Sequence, residues 1–293
     1  MLARSEWKRH VRLCNVQAMP SILTPKQYAA KFPGKTPREI AEILEKTPDE
    51  DDISVEDGRR YIKHLLETRY KDITGPPKIS DRVPEVRIPL KKECQGSIVN
   101  VPERRRPIAE WEAIEAQVAK WMKEGLVEKS TSPFNARHVV VPKPNGELRV
   151  TQDYRRHNGM IEPRKHPTRP VDEMAEDLAR KKHKSKMDQP SAYKGIGIWG
   201  PDRLITAFST RFGKYHHCSL PYGLIISGDC YCEATANVLG HDGGATLMWA
   251  FIWTYVDDDG VGTMKVITHI FVLECIFVRF QLFGTVYVIV PDL

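Results

Sequence analysis

Residues 247–260 read LMWAFIWTYVDDDG, a strongly apolar run that ends in the acids Asp257, Asp258 and Asp259 and a glycine. Such a run predicts a buried β-strand whose acids lie at the strand end beside a turn. Clustered carboxylates repel one another unless a cation lies among them. Mg²⁺ prefers oxygen ligands and keeps room for phosphates, so these acids are candidate metal ligands. For three acids alone, a solvated acidic turn is the simpler interpretation.

A second acid, Asp188, ends the short stretch SKMD at residues 185–188. Carboxylates from two adjacent strands can hold two metal ions about 3.5–4 Å apart, which stabilises the attacking and leaving oxygens of a phosphoryl transfer. Taken by itself, Asp188 is an ordinary aspartate. What links it to Asp257 is the sequence around both.

The remaining chain predicts an α+β fold, with hairpins in place of regular βαβ alternation. Two strand-forming runs, at 136–143 and 147–154, flank the turn Pro144-Asn145-Gly146, and Asn-Gly between such runs indicates a hairpin. Further helices are predicted at about Ala109–Glu124, Val171–Arg180, Cys230–Leu239 and Thr268–Leu282, and further strands near Ser185–Asp188, Leu204–Ser209, Tyr215–Ser219 and Val286–Val290, with a weak strand at Pro84–Leu90.

Residues 1–80 predict a separate region of helices and linker. Thr36-Pro37 begins a helix through REIAEILEK, since a capping threonine followed by proline is typical of a helix start. Ser54 caps a second helix. The stretch TGPPKISDRVP at 74–84 breaks regular structure, so the boundary with the region 81–293 is placed there.

Composition and charge are those of a globular protein. Hydrophobic residues make up 41% of the 293 residues and charged residues 28%, which excludes general disorder. The net charge of +6 fits a polyanionic partner without proving one. The six cysteines include no CxxC pair, which predicts free thiols in a reducing compartment.

One segment, 270–290, is almost wholly apolar and long enough to span a bilayer. Glu274, Arg279 and Gln281 count against an anchor, because a charge at the bilayer centre costs about 2.5–3.5 kcal/mol on insertion scales. Glu274 and Arg279 instead predict a soluble helix with its polar side exposed. No membrane partner is expected, and the first residues show no signal peptide.

Five motifs occur in a fixed order: GLVEKSTSPFNA (125–136), VVVPKPNGELRVTQDYRRHN (139–158), KSKMDQPSAY (184–193), DRLITAFSTRFGKYHHCSLPYGL (202–224) and YVDD (255–258). They resemble the reverse transcriptase of gypsy-type LTR retrotransposons, which typically reads GxIxxSxSPxxSP, KKDGxWRxxxDYRxLN, LDLxxGYxQ, TAFxTxxGxYxxxxxPFGL and YLDD. The resemblance covers roughly residues 80–290. It implies the fingers (about 109–180) and palm (about 181–293) of a right-hand polymerase, an antiparallel sheet with packed helices, and no thumb.

The resemblance implies an RNA-directed DNA polymerase whose metal ligands are Asp188, Asp257 and Asp258, with two Mg²⁺ ions or Mn²⁺ in their place. A primer 3′-hydroxyl then attacks the α-phosphate of a dNTP and pyrophosphate leaves. The implied partners are an RNA or DNA template with its primer, dNTPs and other parts of a Gag-Pol polyprotein. The implied location is cytoplasmic, in virus-like particles, and nuclear.

The other matching residues concern the nucleotide and the fingers. Lys143 and Arg149 match residues that hold the triphosphate, which suits a point charge and a planar guanidinium. Tyr193 matches the aromatic residue under the incoming sugar, which excludes a 2′-hydroxyl by its bulk. Tyr222 lies where the family often has Phe beside the nucleotide. The segment Asp153, Tyr154, Arg155 matches the DYR residues that support the fingers and the template path.

Several positions depart from the family pattern. Gln189 replaces an apolar residue, Pro190 removes a backbone donor near the triphosphate, Leu148 replaces Trp, and Asp259 is an extra acid whose side chain is expected to enter the core. These departures favour, as the alternative, an inactive eroded copy that at most binds nucleic acid through the basic stretch 137–169. A nuclease using the same acids is disfavoured, because no His or Glu flanks Asp257.

Overall fold

The computed structural model describes residues 22–75, 78–189, 192–239, 250–255, 258–285 and 288–290. In these parts of the chain the α-helices are α1 (Pro25–Lys31), α2 (Pro37–Leu44), α3 (Val55–Thr68), α4 (Ile108–Lys123), α5 (Arg155–Asn158), α6 (Val171–Ala179), α7 (Ser227–Leu239) and α8 (Val266–Phe283). The strands are β1 (Val127–Lys129), β2 (Arg137–Pro142), β3 (Leu148–Asp153), β4 (His183–Asp188), β5 (Phe208–Thr210), β6 (Gly213–His217), β7 (Ile252–Tyr255), β8 (Asp258–Thr263) and β9 (Val288–Val290).

The strands form three antiparallel sheets, which confirms the predicted α+β class. The β2–β3 hairpin forms a two-stranded sheet. A three-stranded sheet has the order β1-β6-β5, and a four-stranded sheet has the order β7-β8-β4-β9. The hairpin turns where Asn145-Gly146 predicted it, and Gly146 has a φ of 83°, a conformation that glycine adopts without strain. Helix α4 also matches its prediction and buries Ile114, Val118 and Trp121.

The four-stranded sheet packs one face on α8. Along β4 the buried residues alternate with more accessible ones, as a two-sided strand requires, and His183, Ser185 and Met187 are the buried set. His269 of α8 lies against this face, with its Nε2 2.8 Å from Ser185 Oγ. The long apolar helix therefore lies directly behind the strand that ends in Asp188.

Helices α1 to α3 cover the other side of α8. The predicted caps are present: Thr36 forms a capping box with Glu39, and Ser54 accepts from Asp57 N. Tyr28 and Tyr70 pack edge-on against Phe271 and Phe277 of α8, with ring centroids 5.3 and 5.5 Å apart. Tyr28 and Tyr70 thus belong to the same hydrophobic cluster as α8 and the four-stranded sheet.

The prediction of an exposed polar side on α8 was wrong for Glu274. This residue is fully buried, and its Oε1 accepts from Arg69 and from the Tyr70 hydroxyl. Burial raises the pKa of the Glu274 carboxyl. By length and composition α8 could cross a membrane, but most of it is buried inside the protein, as expected of a core helix.

Two strand predictions also differ from the structure. Residues 84–90 form only isolated bridges, from Val86 to Ile198 and from Leu90 to Ile161. Prolines at 84 and 89 lack the amide donors that a continuous ladder needs. The strand predicted from Leu204 begins at Phe208 instead, because Gly200–Thr206 is a 3₁₀ helix with Pro201 in its first turn.

Candidate active site

The ends of β4 and β8 bring two of the predicted acids together. The backbone register places Asp188, the last residue of β4, directly opposite Asp258, the first residue of β8. Asp188 is half-buried, and on its other side it pairs with Val288 of β9. Asp257 and Pro190 lie outside the described residues. Tyr255 and Asp258 are register partners, so the YVDD segment joins two hydrogen-bonded strands.

The third consecutive acid lies elsewhere. Asp259 pairs with Met187 and is 1% exposed, so it belongs to the buried side of the sheet. This confirms the expectation that the extra acid enters the core, and it separates Asp259 from the acids at the sheet end. Among the described residues, no cluster of three or more His, Cys, Asp or Glu is arranged to hold a metal ion.

The fingers hairpin presents its two predicted cations to solvent. Arg149 pairs with Val141 in the register and is exposed. Lys143 lies at the turn, where its Nζ is 2.8 Å from Glu147 Oε2 in a surface ion pair. Exposed pairs of this kind contribute only about 0–1 kcal/mol, so Lys143 can exchange Glu147 for another anion at little cost.

Three predicted nucleotide-binding residues form one continuous cluster. The Arg149 guanidinium lies 5.8 Å from the centroid of the Tyr222 ring. Tyr222 contacts Tyr193 edge-on, with centroids 4.7 Å apart and planes at 76°. Tyr193 contacts Tyr231 in the same manner at 5.5 Å and 85°. Sequence reasoning missed Tyr231, because neither spacing nor periodicity indicates its contact with Tyr193.

The segment 153–155 divides into a surface ion pair and a buried anchor. Arg155 donates to both oxygens of Asp153, from Nε at 2.8 Å and from Nη2 at 2.6 Å. These hydrogen bonds lower the pKa of Asp153 to about 2. Tyr154 is 1% exposed and donates its hydroxyl to Thr206 O at 2.9 Å, and burial raises its pKa. Tyr154 therefore fixes the end of β3 to the core.

Asn158 is a second residue that sequence reasoning missed. Its Nδ2 donates to Gly223 O and its Oδ1 accepts from Ile225 N, both at 2.9 Å. The amide therefore holds the PYGL loop, which carries Tyr222, against α5. Its place at the end of the DYRRHN segment was the available indication.

The basic stretch 137–169 is only partly free for a polyanion. Arg164 pairs with Glu233 at 2.6 Å and Arg169 with Asp177 at 2.7 Å. Arg149, Arg156 and Lys165 remain exposed and keep positive charge at the surface.

Comparison with known proteins gives relatives of one kind. No protein-family model matches the chain. The retrovirus-related Pol polyprotein from transposon 412 of Drosophila melanogaster is 35% identical over 133 residues, which cover 43% of this chain and 11% of the relative. That from transposon opus of the same organism is 33% identical over 219 residues, or 73% of this chain and 21% of the relative. The chain thus spans about a fifth or less of these relatives.

Solved structures share the fold at low identity. The foamy viral protease-reverse transcriptase in complex with an RNA/DNA hybrid superposes with a TM-score of 0.66 at 20% identity, over 91% of this chain and 33% of that one. A complex of that enzyme with dsDNA gives 0.64 at 21% identity, over 85% and 48%. The fold is that of a reverse transcriptase. The chain is homologous to part of the Pol polyproteins of LTR retrotransposons, the gypsy element among them.

Proposed function

We propose that this domain catalyses RNA-directed DNA synthesis. A primer 3′-oxygen forms a bond to the α-phosphorus of a dNTP, the bond to the β-phosphate oxygen breaks, and pyrophosphate leaves. The observation that carries the proposal is the register that sets Asp188 directly opposite Asp258. Positions opposite one another in an antiparallel pair have Cβ atoms about 4.5–5.5 Å apart, close enough for two carboxylates to share a cation.

The residues at this sheet end suit a hard divalent cation. Asp188, Asp257 and Asp258 offer only carboxylate oxygens, which fits Mg²⁺, with Mn²⁺ as a substitute. When bound, the two ions supply charge stabilisation to the attacking and leaving oxygens. Buried Asp259 stands apart from this set, which leaves three acids for the site.

The cluster beside the acids suits the nucleotide. Arg149 and Lys143 lie on the exposed hairpin, where they can close over a triphosphate. Tyr193, held between Tyr222 and Tyr231, presents a ring to the sugar and excludes a 2′-hydroxyl. A dNTP would therefore bind with its phosphates toward the hairpin and its sugar toward Tyr193.

The proposed nucleic-acid substrate and protein partners follow from the proposed polymerase activity. The foamy viral neighbours were solved on an RNA/DNA hybrid and on dsDNA. For this chain the proposed substrates are a primed RNA or DNA template, bound along the exposed arginines of the stretch 137–169. Other Gag-Pol segments are the proposed protein partners, in cytoplasmic particles.

Primer extension tests the proposal. The chain is given poly(rA)/oligo(dT) and labelled dTTP in Mg²⁺ and then in Mn²⁺. We expect extension by the wild type, its loss in the double variant Asp257→Asn, Asp258→Asn, and its retention in the control Asp51→Asn, Asp81→Asn, which changes two exposed acids. Absence of extension by a wild type with native circular dichroism would contradict the proposal.

A second candidate function is nucleic-acid binding without synthesis. Burial of Asp259 favours it, since an acid in the core beside the metal-binding strand end costs stability where the family pattern has an apolar residue. This candidate predicts binding whose affinity falls linearly on a log–log plot against salt, with no metal-dependent extension. Binding that ignores salt would contradict it.

A further inference from the structure

Tyr231 connects two parts of the candidate active site. It lies in α7, is 1% exposed, and donates its hydroxyl to Gln189 Oε1 at 2.6 Å. Gln189 directly follows Asp188 and is itself 7% exposed. The ring of Tyr231 also lies edge-on to Tyr193 at 5.5 Å. One buried side chain therefore contacts the residue after the metal-binding acid and the aromatic residue assigned to the sugar.

Gln189 is the hydrogen-bond acceptor in this contact. It stands where the family pattern has an apolar residue, and a buried amide without a hydrogen-bond partner is destabilising. The Tyr231 hydroxyl satisfies its oxygen. Its Nε2 lies 3.4 Å from the position that a Cβ on Gly195 would occupy, so the amide fills the space beside that glycine. The Gln189 side chain thus lies between Tyr231 of α7 and Gly195, two residues after Tyr193.

Tyr193 has a second neighbour on its other side. Tyr222 lies 4.7 Å from it, and Arg149 lies over Tyr222. The Tyr193 ring is therefore held between a tyrosine on the PYGL loop and one on α7. Edge-on aromatic contacts stabilise a pair of rings beyond the burial of their area and favour a defined angle between them. Of the two neighbours, Tyr231 is the one that also reaches the end of β4.

We propose that Tyr231 is a positioning residue that sets the selectivity for deoxyribose over ribose. It holds the Tyr193 ring where the ring clashes with a 2′-hydroxyl. Through Gln189 it also fixes the position of the ring relative to Asp188. The inference rests on the proposed function, because sugar selectivity has meaning only if the domain binds nucleoside triphosphates. It goes beyond that function in assigning selectivity to a residue outside the nucleotide contact.

The test compares dUTP with UTP, which differ only at the 2′ position. Equilibrium affinities are measured on poly(rA) with a dideoxy-terminated oligo(dT) primer, so that no chemistry occurs. The variants are Tyr231→Phe, Gln189→Met and the double variant. Tyr70→Phe is the control, since it removes another buried tyrosine hydroxyl, bonded to Glu274 in the cluster around α8. A double-mutant cycle in urea unfolding measures the Tyr231–Gln189 coupling independently of nucleotide.

We expect Tyr231→Phe to lower the dUTP/UTP affinity ratio about fivefold, the equivalent of one hydrogen bond of about 1 kcal/mol. The double variant should lower the ratio no further than Tyr231→Phe does, because both substitutions remove the same hydrogen bond. The unfolding cycle should show coupling, and Tyr70→Phe should leave the ratio unchanged.

Other outcomes overturn the inference. An unchanged ratio in Tyr231→Phe, a further fall in the double variant, or an equal change in Tyr70→Phe would each reduce Tyr231 to a structural residue. If the wild type binds neither nucleotide, the proposed function fails and the inference fails with it. If the wild type binds both and Tyr231→Phe selects as well as the wild type, only the inference fails.

Discussion

Buried histidines give the domain an expected pH dependence. Burial lowers the pKa of His157 to about 4 and those of His217 and His269 to about 3. The ordinary pKa of histidine in an unfolded chain is about 6.5. Below that pH the unfolded state therefore binds protons that the buried histidines of the folded state do not bind. Stability from these residues is complete above pH 6.5 and declines as the pH falls toward 4. Each contributes a slope of up to about 1.4 kcal/mol per pH unit.

Urea unfolding at pH 7.5, 6.5 and 5.5 checks this prediction. We expect the free energy of unfolding to fall across the series as the three histidines lose stability. Glu274 acts in the opposite direction, because its raised pKa favours the folded state as the pH falls. His157→Leu should flatten the profile, since it removes one of the refused protons from a fully buried site. The exposed residue His64 provides the control variant His64→Leu. A profile that is flat from pH 7.5 to 5.5 would contradict the assignment.

At single residues, the ordered motifs predicted more of the site than local pattern could. They selected Arg149, Tyr193 and Tyr222, which the structure brings into one cluster. They did not select Tyr231, because its hydrogen bond to Gln189 joins residues 42 positions apart and leaves no trace in spacing or periodicity. The roles of the selected residues, and of Asp257 and Asp258, stay predictions.

Among the elements, the PYGL loop depends on one glycine conformation. Gly223 has a φ of +94°, and a Cβ there would meet its neighbours only at ordinary contact distances, so the cost of a side chain is conformational. A left-handed conformation costs a non-glycine residue roughly 1–2 kcal/mol. We expect Gly223→Ala to destabilise the domain by about that amount and to weaken dNTP binding, because Tyr222 precedes it.

Gly200→Ala is the matched control for that variant. Gly200 has nothing within 4 Å of an added Cβ and no positive φ, so the substitution should change stability by no more than about 0.5 kcal/mol. Thermal unfolding and the dTTP concentration dependence of extension compare the two variants. Equal effects of the two substitutions would show that the loop does not require its left-handed residue.

Helix α8 takes its N-terminal cap from a distant element. Its own N-cap residue, Lys265, makes no capping hydrogen bond through its side chain. Asp52 accepts instead from Val266 N and Ile267 N, each at 3.0 Å, and Glu45 accepts from Met264 N. A carboxylate at this end also interacts favourably with the helix dipole.

Asp52→Ala should therefore destabilise the fold by about 1–2 kcal/mol, the cost of losing a strong N-cap. Asp51→Ala is the control, because its neighbour Asp51 is exposed. Urea unfolding of both variants measures the difference, and similar stabilities would argue that α8 needs no cap from this segment. The local sequence predicted the caps of α2 and α3, because those caps directly precede their helices. The cap of α8 lies 214 residues away along the chain, so no local pattern could predict it.

For the whole molecule, the least predictable feature is how closely residues 22–75 join the rest. Sequence placed a boundary near residue 80, where prolines and glycine interrupt regular structure, and that division stays a prediction. The structure packs Ile40, Ile62 and Leu65 into the same cluster as α8. An amphipathic helix shows which face it buries but not against what. The α+β class and most element positions did follow from periodicity and turn residues.

The role of Asp188 in metal-dependent DNA synthesis is tested most directly by the rate of Mg²⁺-dependent primer extension, measured for the wild type and for Asp188→Asn. Asp188 is the described acid that the register sets opposite Asp258. We expect extension by the wild type, a loss of at least about a hundredfold in Asp188→Asn, or about 2.7 kcal/mol of barrier, and an unchanged rate in Asp81→Asn. Equal rates for wild type and Asp188→Asn, or no extension by a natively folded wild type, would contradict it.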